Sequence, residues 1–505
     1  MQDAFAAGAN PVDTNLISPP ESKDPEEVEL YLSAQSAHDA FDDATSLTSI
    51  PDQVPDDEHR LEPSPRSYVS HLPVDILGEI FIRCLPPPLN TEYLGPIPFT
   101  GCAPMLLCQI CRHWRDIALS MTILWSTFST YPLLPRNGRD SHVAIFKLWL
   151  ERSDPRPVSF DLARNTSPTI RQLMYANLHR WGSLWLYLDD TLASELVSIS
   201  PRKIFSVESL YLSGSVYSER TLEMLPPLLR LFPNLRRFTI DGLELSQSSF
   251  SQVPWARLTD IELNGRISMA NCMTMIGQCT GVTVMNIQIC AMDNYDEVPF
   301  HPKPATLPHL ISLRLTCYSR QFPSFLDALT LPSLRALSFG TCSRKDENSR
   351  ALSDLMKRSA CTLESFRIGD LDLPEDGVIK YLNLPSLHSL RKLQINCRRI
   401  SEPTLTLLTR CEMTSGPTEG VFPFLKDLHL ACIEAPDSFT SDMFASRWRP
   451  GHHQELPASL VRVDLDLARA NHASPSVDDR DLLRFRQFEE EGLKIDLNKR
   501  WMRAY

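Results

Sequence analysis

The chain has 505 residues, of which 43% are hydrophobic and 22% charged, enough for a large core and about two to four domain-sized units, so a wholly disordered chain is excluded. Thirteen scattered cysteines, an odd number, are too few for a disulfide-dense scaffold and fit reduced thiols filling core positions. Residues 1–66 hold 15 Asp/Glu against Lys23, Arg60 and Arg66, and 3 − 15 = −12 is the whole formal charge of the protein. The neutral remainder has no electrostatic footprint for nucleic acid.

In chain order, the acidic, Pro/Ser-rich segment 1–66 buries too little apolar area to offset chain entropy and is expected to be a disordered tail. The opening residues lack the basic-then-apolar pattern of a secretory signal, and no apolar run reaches the ~18 residues of a membrane span. The expected location is therefore cytoplasmic and/or nuclear, with no membrane partner.

From Ser70 the pattern changes. Apolar side chains at 76, 77, 80, 81, 84 and 85 form a wide helical stripe, with Pro73 in the first turn and Asp75 at the positive end of the helix dipole. Pro86-Pro87-Pro88 stops this helix, and 89–104 reads as a loop. A second segment from Met105 to Leu119 repeats Leu107, Ile110, Cys111, Trp114, Ile117 and Ala118 at helical spacing and predicts another buried face. Leu124-Trp125 adds an aromatic anchor. So small a core is marginal alone and invites completion by a partner.

The order Leu72-Pro73-x-x-Ile76-Leu77-x-x-Ile80-Phe81, then Leu107-x-x-Ile110-Cys111-Arg112-x-Trp114-Arg115-x-Ile117-Ala118 and Leu124-Trp125, resembles an F-box, in the version common in fungal F-box proteins. The resemblance assigns residues 67–130 to an all-α F-box domain that docks on the Skp adaptor of a cullin ubiquitin ligase. It implies that Leu72, Pro73, Ile76, Leu77, Ile80, Leu107, Ile110 and Trp114 face the adaptor or support that surface.

Beyond a linker and N-terminal cap at 131–180, the chain repeats the template apolar-x-x-apolar-x-apolar. It occurs at Trp181/Leu184/Leu186, Val207/Leu210/Leu212, Leu235/Phe238/Ile240, Leu258/Ile261/Leu263, Val282/Met285/Ile287 and Leu310/Leu313/Leu315. It recurs at Leu334/Leu337/Phe339, Leu363/Phe366/Ile368, Leu390/Leu393/Ile395, Leu425/Leu428/Leu430 and Leu460/Val463/Leu465. The mean period of about 28 residues lies within the leucine-rich-repeat range. Pro233, Pro308, Pro332 and Pro423 each stand two residues before the repeat leucine, where proline ends a helix and enters a strand. Helical spacing over Glu219–Leu231 and Ser349–Lys357 completes a strand–turn–helix unit.

The expected fold is thus an α/β solenoid with a curved parallel sheet over 181–505, preceded by the helical module and the tail. This region resembles the irregular leucine-rich repeats of F-box proteins. Cys290 and Cys342 fit the regular turn position, whereas Leu243, Arg266, Tyr318, Leu371 and Arg398 do not, so irregular turns are expected. The segment Asp481–Leu497 reads as a helix, a Gly492 stop and a closing strand.

Residues between the apolar strand positions alternate onto the opposite, concave face: Arg237, Asp260, Glu262, Arg314, Arg367, Lys392, Gln394, His429, Arg462 and Asp464. This mixed-sign surface suits a protein target, with Arg237, Arg314, Arg367, Lys392 and His429 as candidate contacts.

Catalytic and metal motifs were weighed against this. Gly277-Gln278-Cys279-Thr280-Gly281 has the form of a hydrolase elbow, but follows a helical stretch and precedes a strand, the reverse of what an elbow requires. Cys108-x-x-Cys111, with Cys102 and His113 nearby, has no second pair to complete a zinc tetrahedron, and Cys111 falls on the apolar stripe. His452-His453 reads as an exposed loop pair. The expectation is a non-enzyme without cofactor, a monomer within a larger complex: a Skp–cullin–F-box substrate receptor. The alternative is an interaction scaffold outside the ubiquitin system whose F-box-like module only packs.

Overall fold

A computed structural model describes residues 72–85, 101–130, 139–163, 166–199, 204, 206–214, 219–242, 250–289, 302–317, 321–341, 347–370, 373–410, 421–436, 438–449, 459–466 and 479–498. The acidic segment 1–66, Cys290, Cys342, Leu243, Tyr318, Leu371 and the pair His452-His453 lie outside them. The chain divides into two compact units, one containing 72–84 and 101–118 and the other containing residues from Leu119 onward.

In the first unit the helix Val74–Cys84 begins where the Leu77 amide donates to the Pro73 carbonyl at 3.0 Å. It buries Leu77, Gly78 and Phe81. The Phe81 ring meets Trp114 with centroids 4.9 Å apart. The segment expected to be one amphipathic helix from Met105 is broken. A four-residue helix Leu107–Ile110 ends at Cys111, whose backbone is extended (φ −159°), and a second helix runs Arg112–Ser120. The Arg115 guanidinium donates to the Cys108 carbonyl at 2.8 Å, bridging the break between the two helices.

The second unit is solenoid-like: one sheet of fourteen parallel strands in sequence order, with helices between them. One residue per strand forms a continuous column through the sheet, buried at Phe128, Phe160, Leu184, Leu210, Phe238, Ile261, Met285, Leu313, Leu337, Phe366, Leu393, Leu428 and Val463 and half-buried at its end, Ile495. No residue of the eleven template triplets is more than 4% exposed. The spacing thus marks the core side of each strand, as the two-residue side-chain period requires.

Junctions between strands share one hydrogen-bond scheme. Carbonyls of Arg236, Thr259, Thr283, Ile311, Arg335, Glu364, Arg391 and Lys426 each accept two successive amides from the next strand. The prolines stand in turns before the strands: Leu235, Leu310, Leu334 and Leu425 donate back to Phe232, Leu307, Leu331 and Phe422, three residues earlier, with proline at the second position of the turn. Pro308 and Pro332 do not end helices as expected, since they follow the short paired strands Ala305–Thr306 and Leu329–Thr330. The helices over the two predicted stretches are Glu219–Leu229 and Glu347–Ser359. Irregularity shows as register shifts between Leu263 and Ile267 and between Asn396 and Ile400.

The sheet begins before the first template triplet. Thr127–Phe128 pairs with Val158–Leu162, a strand inside the stretch read from sequence as linker and cap. Trp125 belongs here and not with the helical module: its ring packs on Trp149 at 5.4 Å, and Phe128 contacts Phe146, Trp149 and Phe160. At the other end the helix Asp479–Glu490 stops at Gly492, whose φ of +106° suits glycine. The Leu493 amide reaches the Phe488 carbonyl at 2.9 Å and the Gly492 amide the Glu489 carbonyl at 3.0 Å, and the strand Lys494–Asn498 follows.

Arginines, two of them buried (Arg180 and Arg447) and one exposed (Arg358), hold the turns outside the sheet. Arg447, fully buried, donates to the carbonyls of Leu408, Val421 and Phe422. Arg358 donates to Leu326 and Leu329 at 2.7 and 2.8 Å. Arg180 donates to Leu150 at 2.8 Å and Arg156 at 3.0 Å. A guanidinium presents five donors in a rigid fork, which fits several carbonyls at once.

Candidate protein-interaction surfaces

In the first unit the wide apolar stripe of Val74–Cys84 splits lengthwise. Leu77 and Phe81 are fully buried, while Ile76 is 49% and Ile80 37% exposed, and Cys84 is exposed as well. The reading of 76, 80 and 84 as part of a buried face is corrected: the core of this unit is too small to take both halves of the stripe. On the second segment Leu107 is buried, Trp114 half-buried and Ile110 56% exposed, so the expected single buried face is again only partly buried. Leu72 is half-buried and Pro73 exposed.

Of the eight residues carried over from the resemblance, Leu77 and Leu107 therefore build this unit's interior. Ile76, Ile80, Ile110 and Pro73 are offered to the outside, joined by Val74 and Leu106, which sequence reading passed over. Both lie beside the stripe, and only its wide extent signals them.

Cys111 is also corrected. It is exposed, its Sγ accepts the Trp114 amide at 3.4 Å, and core packing is not its role. Among the described residues no group of three or more His, Cys, Asp or Glu side chains is placed to hold a metal. Cys279 is buried between the helix Met269–Ile276 and the strand Val284–Ile289, and burial pushes its thiol up to about 12. A thiol so held is a poor nucleophile.

In the second unit the face opposite the core carries parallel rows of side chains. One row runs Trp185, Tyr211, Thr239, Glu262, Asn286, Arg314, Ser338, Arg367, Gln394, His429, Asp464 and Asp496. A second, offset by two residues, contains Arg237, Asp260, Val284, Ser312, Ala336, Ser365, Lys392, Asp427 and Arg462. The five predicted target contacts divide between them, with Arg314, Arg367 and His429 in the first row and Arg237 and Lys392 in the second.

Arg314 and Arg367 stand two strands apart, and Lys392 lies diagonal to Arg367 on the next strand. Arg237 is on a distant strand. His429 sits with Asp464, Nδ1 to Oδ2 at 4.0 Å, and Asp464 also accepts from Arg462 at 2.8 Å. Burial and the charge of Arg314 both lower the Arg367 pKa.

The first row also opens on a stacked aromatic pair absent from the predicted contacts, Trp185 and Tyr211, with centroids 5.8 Å apart and planes 21° from parallel. Tyr211 donates to Asp241 at 2.9 Å, and burial with this acidic acceptor raises its pKa. The alternation Leu184-x-Leu186 and Leu210-x-Leu212 places both rings on this face by the same logic that placed the arginines.

Comparison with known proteins adds no family to this geometry. No family model matches the chain, and no curated protein matches it.

Proposed function

We propose that the chain is a substrate-recognition subunit of a Skp–cullin–F-box ubiquitin ligase. The first unit is an F-box that docks on the Skp adaptor, and the second is an array of irregular leucine-rich repeats, curved around its sheet, that holds a protein target. The carrying observation is the outer half of the apolar stripe: Ile76, Ile80 and Ile110 stay exposed on a unit with little core of its own. Exposed apolar side chains gathered on a small unit mark a surface that a partner covers. The rows of polar and charged side chains on the sheet supply the second surface, with the mixed chemistry of a protein interface.

In this reading the chain contributes proximity. It holds a target lysine near a charged conjugating enzyme, and the gain is in effective concentration, with no catalytic residue or cofactor of its own. It acts in the cytoplasm or nucleus as one monomer of the larger assembly.

Co-purification of the full chain with the Skp adaptor tests this, wild type beside Ile76→Asp/Ile110→Asp. Capture of the adaptor by wild type and its loss in the double variant supports the receptor. Capture that is indifferent to the substitutions, or full function with residues 70–130 deleted, supports instead a scaffold outside the ubiquitin system.

A further inference from the structure

The cysteines of Cys108-x-x-Cys111 straddle the break in the second segment of the helical unit. Cys108 lies in the helix Leu107–Ile110, and Cys111 is the extended residue at which that helix ends. Both are free thiols. Elsewhere the chain keeps Cys272, Cys279, Cys317 and Cys397 at 1% exposure or less, whereas Cys111 is exposed and Cys108 half-buried. A free cysteine behaves as a small hydrophobe and is among the most buried residue types, so packing does not account for this pair. Reactivity is the property left to it.

The spacing suits a bridge. Gln109 and Ile110 are helical, so the Cα atoms of Cys108 and Cys111 stand one turn apart, about 5 Å by helix geometry. That falls within the roughly 4.4–6.8 Å that a disulfide spans. Access decides which sulfur attacks an incoming disulfide first, and Cys111 has the better access. Cys102, the next cysteine towards the start of the chain, competes poorly, because partial burial pushes its thiol up.

The Cys111 sulfur already has a task. It accepts the Trp114 amide at 3.4 Å, one of the amides that open the helix Arg112–Ser120. The Trp114 ring packs on Phe81 of the helix Val74–Cys84, centroids 4.9 Å apart. Cys108 stands three residues before Cys111 and Trp114 three residues after it, so a sulfur drawn into the bridge leaves that amide. Ile110, 56% exposed, is enclosed in the loop that the bridge closes.

We infer that Cys108 and Cys111 are a redox-active dithiol whose closure to a disulfide weakens docking at the face carrying Ile76, Ile80 and Ile110. The effect on docking rests on the adaptor reading; the chemistry of the pair does not. The oxidant is glutathione disulfide. The Cys111 thiolate attacks one of its sulfurs, that S–S bond breaks, and one glutathione leaves as thiolate. Cys108 gives its proton to solvent and attacks the Cys111 sulfur of the mixed disulfide, releasing the second glutathione. Two protein thiols are oxidised to one disulfide, and glutathione disulfide is reduced to two thiols.

The test exposes the full chain to glutathione disulfide, alkylates the remaining thiols and maps tryptic peptides. Peptide Cys84–Arg112 should carry two fewer alkyl groups, give no backbone fragments between residues 108 and 111, and revert in excess reduced glutathione. Cys108→Ser should instead retain one glutathione on Cys111. Adaptor capture by the oxidised wild type should fall roughly fivefold or more. Cys111→Ser, whose hydroxyl still accepts the Trp114 amide, should capture equally before and after oxidation. A pair that stays reduced, a wild type that stops at the glutathione adduct, or a bridge that leaves capture unchanged would each overturn the inference. Failure of the reduced wild type to capture adaptor removes the ligase reading and with it the effect on docking, while the peptide map still decides the dithiol.

Discussion

The two units use the same kind of apolar periodicity to different ends. In the sheet, every template position is buried, because each strand lies between neighbours that cover its core side along the whole row. In the helical unit the stripe is as strong, yet half of it stays outside: Leu77 and Phe81 are buried and Ile76 and Ile80 are not. Periodicity reports which side chains share a face. How much of that face is covered depends on what is stacked against it, and the three short helices described in this unit supply little to stack.

The largest test of the contrast is in the sheet. Phe366→Ala removes a fully buried ring from the continuous column and should cost about 3–5 kcal/mol in urea denaturation. Arg447→Ala, which strands the carbonyls of Leu408, Val421 and Phe422, should cost about 3 kcal/mol, and Arg447→Lys should recover little because an ammonium lacks the planar fork. A loss below about 1 kcal/mol for Phe366→Ala would break the claim that the column is the core.

Next comes the split stripe. Leu77→Ala should cost about 2–5 kcal/mol of local stability, read by hydrogen exchange in the helix Val74–Cys84. Ile76→Ala in the same helix should cost about 0.5 kcal/mol or less. Equal losses would mean that both halves of the stripe are buried.

A pH effect of intermediate size should come from Glu375. Its carboxylate accepts from the Ser401 amide at 2.8 Å and the Thr404 hydroxyl at 2.6 Å, tying one unit of the array to the start of the helix Glu402–Leu408. Although partial burial opposes it, these hydrogen bonds hold the pKa below its ordinary 4.5. A depressed carboxylate stabilises the fold above its unfolded pKa and loses that contribution as pH falls through its folded value. Melting temperature should therefore fall below pH 4.5 in wild type, and less steeply in Glu375→Gln. Identical acid limbs would remove Glu375 from this role.

Much of the sheet was legible in sequence because strand position, register and burial follow from one short template. Its beginning was not: Thr127–Phe128 and Val158–Leu162 lack the triplet, and aromatic packing around Trp125, Trp149 and Phe160 replaces leucine there. The break at Cys111 was also hidden, since its apolar neighbours keep helical spacing while its own backbone turns extended. Among site residues, alternation placed Arg314 and Arg367 on one face. Their position two strands apart depends on register between strands, as does the close approach of Gly340 and Gly369, and spacing within a single strand contains neither.

The smallest expected effect on stability accompanies the largest on binding. Ile76→Asp/Ile110→Asp replaces exposed side chains and should shift stability by no more than about 0.5 kcal/mol. Titration of the full chain with purified Skp adaptor in a calorimeter tests the central claim most directly. The account predicts micromolar or tighter binding by wild type and none by the double variant, with superimposable melting curves. A well-folded wild-type chain that does not bind would contradict it.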